Sequence, residues 1–229
     1  MIISISGRIG SGKDLTGQII QYLYYVYSDI HKDNKLSFEA FVKIDRVNNL
    51  LINGVVPKIK KWADSIKDMT CIAIGCTREQ LEDIDFKNTG IKDLNNITPR
   101  TILQSLGTEW GRNMLHNDIW VNALMSKHKC TSCDMLVPFE DGIAHVEWDT
   151  CVMPNWIITD TRFPNEAKAV TDKGGINIRL TRNSNNPATH ESETSLDNYS
   201  FDYVINNDNG DIPELIERIR EILLIEKII

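Results

Sequence analysis

MIISISGRIGSGKDLTGQ, residues 1–18, is the stretch on which the reading of the whole chain turns. Ile2, Ile3 and Ile5 form a short apolar run of β-branched residues, the pattern of a strand buried on both faces. Gly7-Arg8-Ile9-Gly10-Ser11-Gly12-Lys13 follows and fits the G-x-x-x-x-G-K phosphate loop, between a strand and a helix. Gly7, Gly10 and Gly12 let backbone N–H groups turn inward around phosphate oxygens with no Cβ in the way. Ser11 lies inside that loop. Lys13 reaches the terminal phosphates, and the helix opening at Asp14, Leu15 and Thr16 adds its positive dipole end. Asp14 stands where a Ser or Thr hydroxyl usually holds Mg²⁺, and Thr16 follows two residues later. Asp14, Thr16 or an intervening water are therefore alternative holders of the metal. A chance glycine-rich turn is the competing reading; the agreement of strand, loop and helix weighs against it.

Bulk composition narrows the function classes. At 229 residues the chain can bury a sizeable core, and 41% hydrophobic with 25% charged residues is ordinary for a soluble globular protein. A net charge of −7 argues against a general nucleic-acid surface, although a nucleotide needs only a local cationic pocket. No apolar run approaches the roughly 20 residues that cross a bilayer. The N-terminus reads as the buried strand, without a charged leader, so secretion is not expected. Five cysteines, an odd number, fit a reducing cytoplasmic compartment better than a disulfide framework.

Along the chain, Leu15, Ile19, Leu23 and Val26 recur at helical spacing, and the tyrosines among them read as core or flank. Residues 28–35 are polar and read as a loop, Phe38, Phe41 and Val42 suit a helix, and Asn53-Gly54 suits a turn. A strand is predicted over 58–62 and a helix over 64–74, with Thr77 and Gln80 as a capping box for the next. Thr98 caps a further helix that has Pro99 in its first turn and runs toward GTEWGR. Residues 155–160 make the second strong strand, with Asp160 at its end. A helix then stops at Gly174-Gly175, strands follow at 176–180 and 203–205, and the last helix starts near Asp211. Strands alternating with helices imply a mainly parallel sheet covered on both faces, with ligands at the C-terminal strand ends.

SGRIGSGKD, WADSIK, CTREQLEDIDFK, RTILQSLGTEWGR with Trp120, ITDTRFPNEA and THESETSL before FDYVINNDNGDIPEL form a more specific set. Together they resemble the deoxynucleoside monophosphate kinases of large bacteriophages and their bacterial relatives. The resemblance spans residues 2–223 and is looser near 28–55 and 126–154. It implies a single α/β domain over 1–229, a three-layer P-loop kinase fold. Residues 28–120 would form the acceptor side, 126–154 a variable insertion and 181–198 a lid. It also implies transfer of the γ-phosphate of ATP to a deoxynucleoside monophosphate with Mg²⁺, in a cytoplasm (the host's, for a phage-encoded chain). Dimers are common in the family; no membrane or direct nucleic-acid partner is expected. Asp after the loop lysine is also a family trait.

Phosphoryl transfer to an acceptor already anionic needs no general base, only positioning and charge neutralisation. Lys13 serves the donor. Arg162, two residues beyond Asp160, is placed for the acceptor or the transferring group, and Asp160 for Mg²⁺-bound water or the acceptor sugar. Arg100 and Arg112 flank LQSLGT, and Arg182 begins the lid. One or two of these four arginines are expected to be solvated surface charges. Resemblance adds Lys67, Gln104, Gly107, Thr108, Trp120 and Glu166 to the acceptor pocket, with plain burial as the other reading of Trp120. His190 and Glu193 are read as ordering the lid.

The insertion carries Cys130, Cys133 and Cys151, which with His128 or His145 offer a tetrahedral structural zinc site. A reduced, solvent-facing hairpin is the alternative, because one C-x-x-C is weak evidence. Two further readings of the chain stay open: a kinase of the same fold acting on another small molecule, and a nucleotide-dependent binding module.

Overall fold

The computed structural model describes residues 1–28, 35–43, 56–130, 152–182 and 194–229. The N-terminal half contains β1 (Ile2–Gly7), α1 (Lys13–Tyr27), α2 (Phe38–Val42), β2 (Lys58–Lys60), α3 (Asp64–Ile74), α4 (Arg78–Glu82) and α5 (Ile84–Asn88). Then come α6 (Pro99–Gln104), a π-helical stretch (Ser105–Leu115) and α7 (Ile119–Met125). The C-terminal part holds β3 (Trp156–Thr161), α8 (Pro164–Thr171), β4 (Ile176–Thr181), β5 (Tyr203–Asn206) and α9 (Ile212–Ile225). Contacts group these residues into a sheet unit, Met1–Lys60 with His128–Ile229, and a helical unit, Lys61–Lys127.

In the sheet unit five parallel strands run in the order β2-β3-β1-β4-β5. Parallel strands need crossovers between them, and α8 supplies the one from β3 to β4. On one face Ile3 and Ile5 of β1 pack with Ile19, Ile20 and Leu23 of α1 and Leu215, Ile219 and Leu223 of α9. The opposite face is partly polar, and its polar atoms are paired, as burial demands. Ser4 donates to Asn177 Oδ1 at 2.5 Å, and the Asn177 amide donates to Ala167 O at 3.2 Å and Thr171 Oγ1 at 2.9 Å. Ala167 and Thr171 belong to α8, so helices cover both faces and the unit has three layers. The described sheet is wholly parallel, where the sequence predicts a mainly parallel one.

Register fixes where a ligand can sit. Ser6 pairs with Thr161 of β3, and Gly7 with Leu180 of β4. The C-terminal ends of β1, β3 and β4 therefore share one edge of the sheet, the edge where such folds collect ligands. β2 ends at Lys60, two residues earlier than predicted. The reason is local: Asp64 Oδ2 accepts the Lys61 N–H at 3.0 Å and turns the chain out of the strand. The tyrosines of α1 behave as flank, with Tyr22 edge-on to Phe38 at 5.4 Å and Tyr25 against Phe41 at 5.3 Å.

In the helical unit the predicted caps are present. Thr77 Oγ1 accepts the Gln80 N–H at 3.2 Å while Gln80 Oε1 accepts the Thr77 N–H at 2.9 Å. Thr98 caps α6 through the Thr101 N–H at 3.1 Å, with Pro99 in the first turn. Beyond α6 the backbone departs from an ordinary helix. Ser105–Leu115 is wound wider, with π-helical hydrogen bonding that ordinarily spans a single turn. Gly111 explains the contact this makes room for: a Cβ there would lie 2.6 Å from the Trp120 ring. The Trp120 indole N–H donates to Gly107 O at 2.7 Å, and the ring is 3% exposed. Among the described residues no helix is long and apolar enough to cross a membrane.

Candidate phosphate-binding site

The loop between β1 and α1 is shaped by backbone that favours glycine: φ is 78° at Gly10 and 100° at Gly12. Its carbonyls are bonded by side chains from within the loop and beyond it, and the Ser11 N–H closes a turn onto Arg8 O at 3.2 Å. Lys13 Nζ donates to Gly7 O at 2.6 Å and Arg8 O at 2.9 Å. Arg182 donates to Gly10 O at 3.1 Å, and the Asn207 amide to Ser11 O at 2.9 Å. Asn207 is buried just past β5, where its own N–H donates to Thr181 O at 2.8 Å. A Cβ on Gly12 would lie 3.0 Å from that amide, so bracing and glycine depend on each other.

Other loop residues separate by exposure. Asp14 is exposed and accepts the Thr159 hydroxyl at 2.8 Å. Thr16 is fully buried, and its hydroxyl has no hydrogen-bond partner among the described residues; the same holds for the Ser11 hydroxyl. Leu15 packs against the core beneath. Arg8 and Arg179 share one carboxylate, Asp197, at 3.1 and 2.9 Å, and Arg179 also donates to Ser6 Oγ at 2.8 Å.

At the end of the neighbouring strand, Asp160 and Arg162 are half-buried. Glu166, 2% exposed, accepts the N–H groups of Arg162 at 2.7 Å and Phe163 at 3.1 Å. That carboxylate at the third helical position satisfies donors the start of α8 would leave open, so it sets the turn that carries Arg162.

The remaining predicted acceptor residues lie in the helical unit. Lys67 pairs with Glu82 at 2.5 Å. Burial alone would raise the Glu82 pKa, but Lys67 and Lys87 outweigh it and hold that carboxyl below its ordinary range. Arg100 donates to Asn88 Oδ1 at 2.8 Å and Arg112 to Asn117 O at 3.3 Å. Gln104 is exposed, Thr108 half-buried and Gly107 buried.

Of the zinc candidates only Cys130 and His128 are described; Cys133, His145 and Cys151 lie outside the described residues, as do His190 and Glu193 of the lid. His128 is buried edge-on to Trp156, its Nε2 2.9 Å from Pro154 O. Among the described residues no three His, Cys, Asp or Glu side chains group as a metal site.

Sequence alone did not reveal the bonds that Arg8, Arg179 and Asn207 make around the loop. Asn207 hides in Asn206-Asn207-Asp208-Asn209-Gly210, a composition that reads as an ordinary turn. The available signal was its place, immediately after a strand at the ligand edge. A cavity of about 240 Å³ opens beside it, lined by Asn207, Asp208, Asp211, Glu214, Leu215 and Arg218.

A glycine cradle, a lysine and a helix N-terminus at one sheet edge suit phosphate, and a known protein shares part of this sequence. Over 82 residues the chain is 33% identical to the deoxynucleoside-5'-monophosphate kinase of Escherichia phage T5. The relationship is kinase-like. The matched stretch is 36% of this chain, and the chain spans 25% of the length of that curated relative. No protein-family model matches the chain.

Proposed function

We propose that the chain transfers a phosphoryl group from ATP to a deoxynucleoside monophosphate. The observation that carries this reading is the register of β1 with β3. It brings the phosphate loop and the Asp160–Arg162 turn to neighbouring ends of one parallel sheet. The phage kinase similarity supports the same class of acceptor.

In this reading the loop N–H groups and Lys13 hold the donor phosphates, with the first turn of α1 adding its dipole. Lys13 exchanges its bonds to Gly7 and Arg8 carbonyls for phosphate oxygens. Asp14 is the fitting metal holder, since its carboxylate is exposed while Thr16 is sealed in the core. Mg²⁺ held there would supply charge neutralisation for phosphoryl transfer. Arg162 neutralises the acceptor or the group in flight, and Asp160 orients the acceptor sugar or would help to hold the metal through water. The acceptor attacks through an oxygen that is already anionic, so no residue has to remove a proton. Arg182 closes over the loop from the lid segment. Lys67, Arg100, Gln104, Thr108 and Arg112 are assigned to acceptor recognition. Trp120 contributes by positioning Gly107 through its indole bond, and Glu166 by holding the Arg162 turn.

The test is coupled detection of ADP with a panel of deoxynucleoside monophosphates and of other small acceptors. ADP release that requires one of the deoxynucleotides supports the reading. Release with another acceptor class instead would assign the chain to a different kinase of the same fold, and no turnover with any acceptor would favour a binding module.

A further inference from the structure

Outside the phosphate site, the end of α3 brings two thiols together. Cys71 and Cys76 are free, and their sulfurs lie 3.8 Å apart. The turn between them makes the contact. Gly75 adopts the left-handed conformation at φ 66°, and both its N–H and that of Cys76, the latter at 3.1 Å, are directed to Cys71 O. Such a helix end usually closes with an apolar contact between these same two positions, here filled by cysteine in both. Both side chains are partly exposed, so a small reagent reaches them.

We propose that Cys71 and Cys76 form a redox-active dithiol, a modification site whose oxidant is a low-molecular-weight disulfide of the glutathione class. The 3.8 Å between the sulfurs lets Cys76 resolve a mixed disulfide formed on Cys71, while burial and the adjacent thiol raise the Cys76 pKa. The Cys71 thiolate forms a bond to one glutathione sulfur and expels the other as thiolate, which takes up a proton. Cys76 then loses its proton, attacks the Cys71 sulfur of the mixed disulfide and expels the second glutathione. The balance is two protein thiols oxidised and one glutathione disulfide reduced to two thiols. The product links the end of α3 to the residue before Thr77, the cap of α4. That junction is also held by Arg78, which donates to Asp64 and Asp68 at 2.9 and 2.8 Å, and by the Lys67–Glu82 pair. Oxidation therefore stiffens the segment that presents Lys67. None of this depends on what the phosphate site does.

Trypsin gives an unambiguous test on the full chain, because cleavage after Lys67 and Arg78 yields Asp68–Arg78. That peptide holds both thiols and none of Cys130, Cys133 and Cys151. The protein is equilibrated at graded ratios of oxidised to reduced glutathione, quenched with acid, alkylated with N-ethylmaleimide and digested. The expected peptide carries two alkyl groups under reducing conditions. Under oxidising conditions it carries none and is about 2 Da lighter than its dithiol form. Cys71→Ser should remove the mass loss and leave Cys76 alkylated or joined to one glutathione. A wild-type peptide that stays doubly alkylated at the most oxidising ratio would overturn the proposal. So would one carrying two glutathiones and no internal bond.

Discussion

Lys13 in the sheet unit and Lys67 in the helical unit are held in different ways. In the sheet unit Lys13 and Arg182 bond to backbone carbonyls, and Arg8 and Arg179 share the single carboxylate of Asp197. In the helical unit Lys67 is matched by Glu82, and Arg78 by Asp64 and Asp68. A carbonyl satisfies an ammonium without cancelling its charge, whereas a carboxylate does both. The carbonyls of Gly7 and Arg8 leave the charge of Lys13 in place, whereas Lys67 has to give up a carboxylate before it can take another anion.

That difference can be broken from the strong side first. Lys13→Ala should lower turnover roughly a hundredfold or more while the thermal midpoint barely moves, since its bonds are to loop carbonyls rather than core groups. Steady-state kinetics beside a melting curve checks both halves. Next comes the bracing of the cradle. Asn207→Leu keeps the volume but leaves Ser11 O without its donor, which should cost about 1–3 kcal/mol in a urea titration. It should also raise the KM for ATP more than it lowers kcat, because the loop loses its shape before it loses its lysine.

The helical unit offers the reverse experiment. Glu82→Gln frees the charge of Lys67, and if that lysine meets the acceptor phosphate the KM for the deoxynucleotide should fall about two- to threefold. An unchanged value would place Lys67 in structure alone. The smallest effect is expected from His128. Burial favours its neutral form, so its folded pKa lies below the ordinary 6.5. The unfolded chain then takes up the proton first as the solution is acidified. His128's contribution is therefore complete above pH 6.5 and is lost as pH falls through the lowered value. Urea midpoints between about pH 7.5 and about pH 5.5 should decline more steeply for the native chain than for His128→Phe.

The same contrast explains which parts could be read from sequence. β1 and β3 announce themselves through Ile2, Ile3, Ile5 and Trp156, Ile157, Ile158, because a strand buried on both faces has little room for other residues. The shape of the turn after β1 was legible because Gly10 and Gly12 hold a left-handed backbone that favours glycine. The caps at Thr77 and Thr98 were legible for a similar reason, each being a short-range bond with a fixed spacing. The π-helical stretch was not, since nothing local in Ser105–Leu115 distinguishes it. It packs Gly111 against a tryptophan nine residues on, a contact visible only once the helices pack. Glu166 was placed in the acceptor pocket by resemblance, and the structure shows its carboxylate on the N–H groups of Arg162 and Phe163. Long side chains choose partners in space, and spacing along the chain does not reveal the choice.

The most direct test of the central claim is ADP release measured with and without a deoxynucleoside monophosphate, in the native chain and in Arg162→Ala. The account predicts release that depends on the deoxynucleotide and is nearly abolished by the substitution, with Glu166 still capping the turn through the backbone N–H groups that alanine retains. Release at the same rate without the deoxynucleotide, or undiminished by Arg162→Ala, would contradict it.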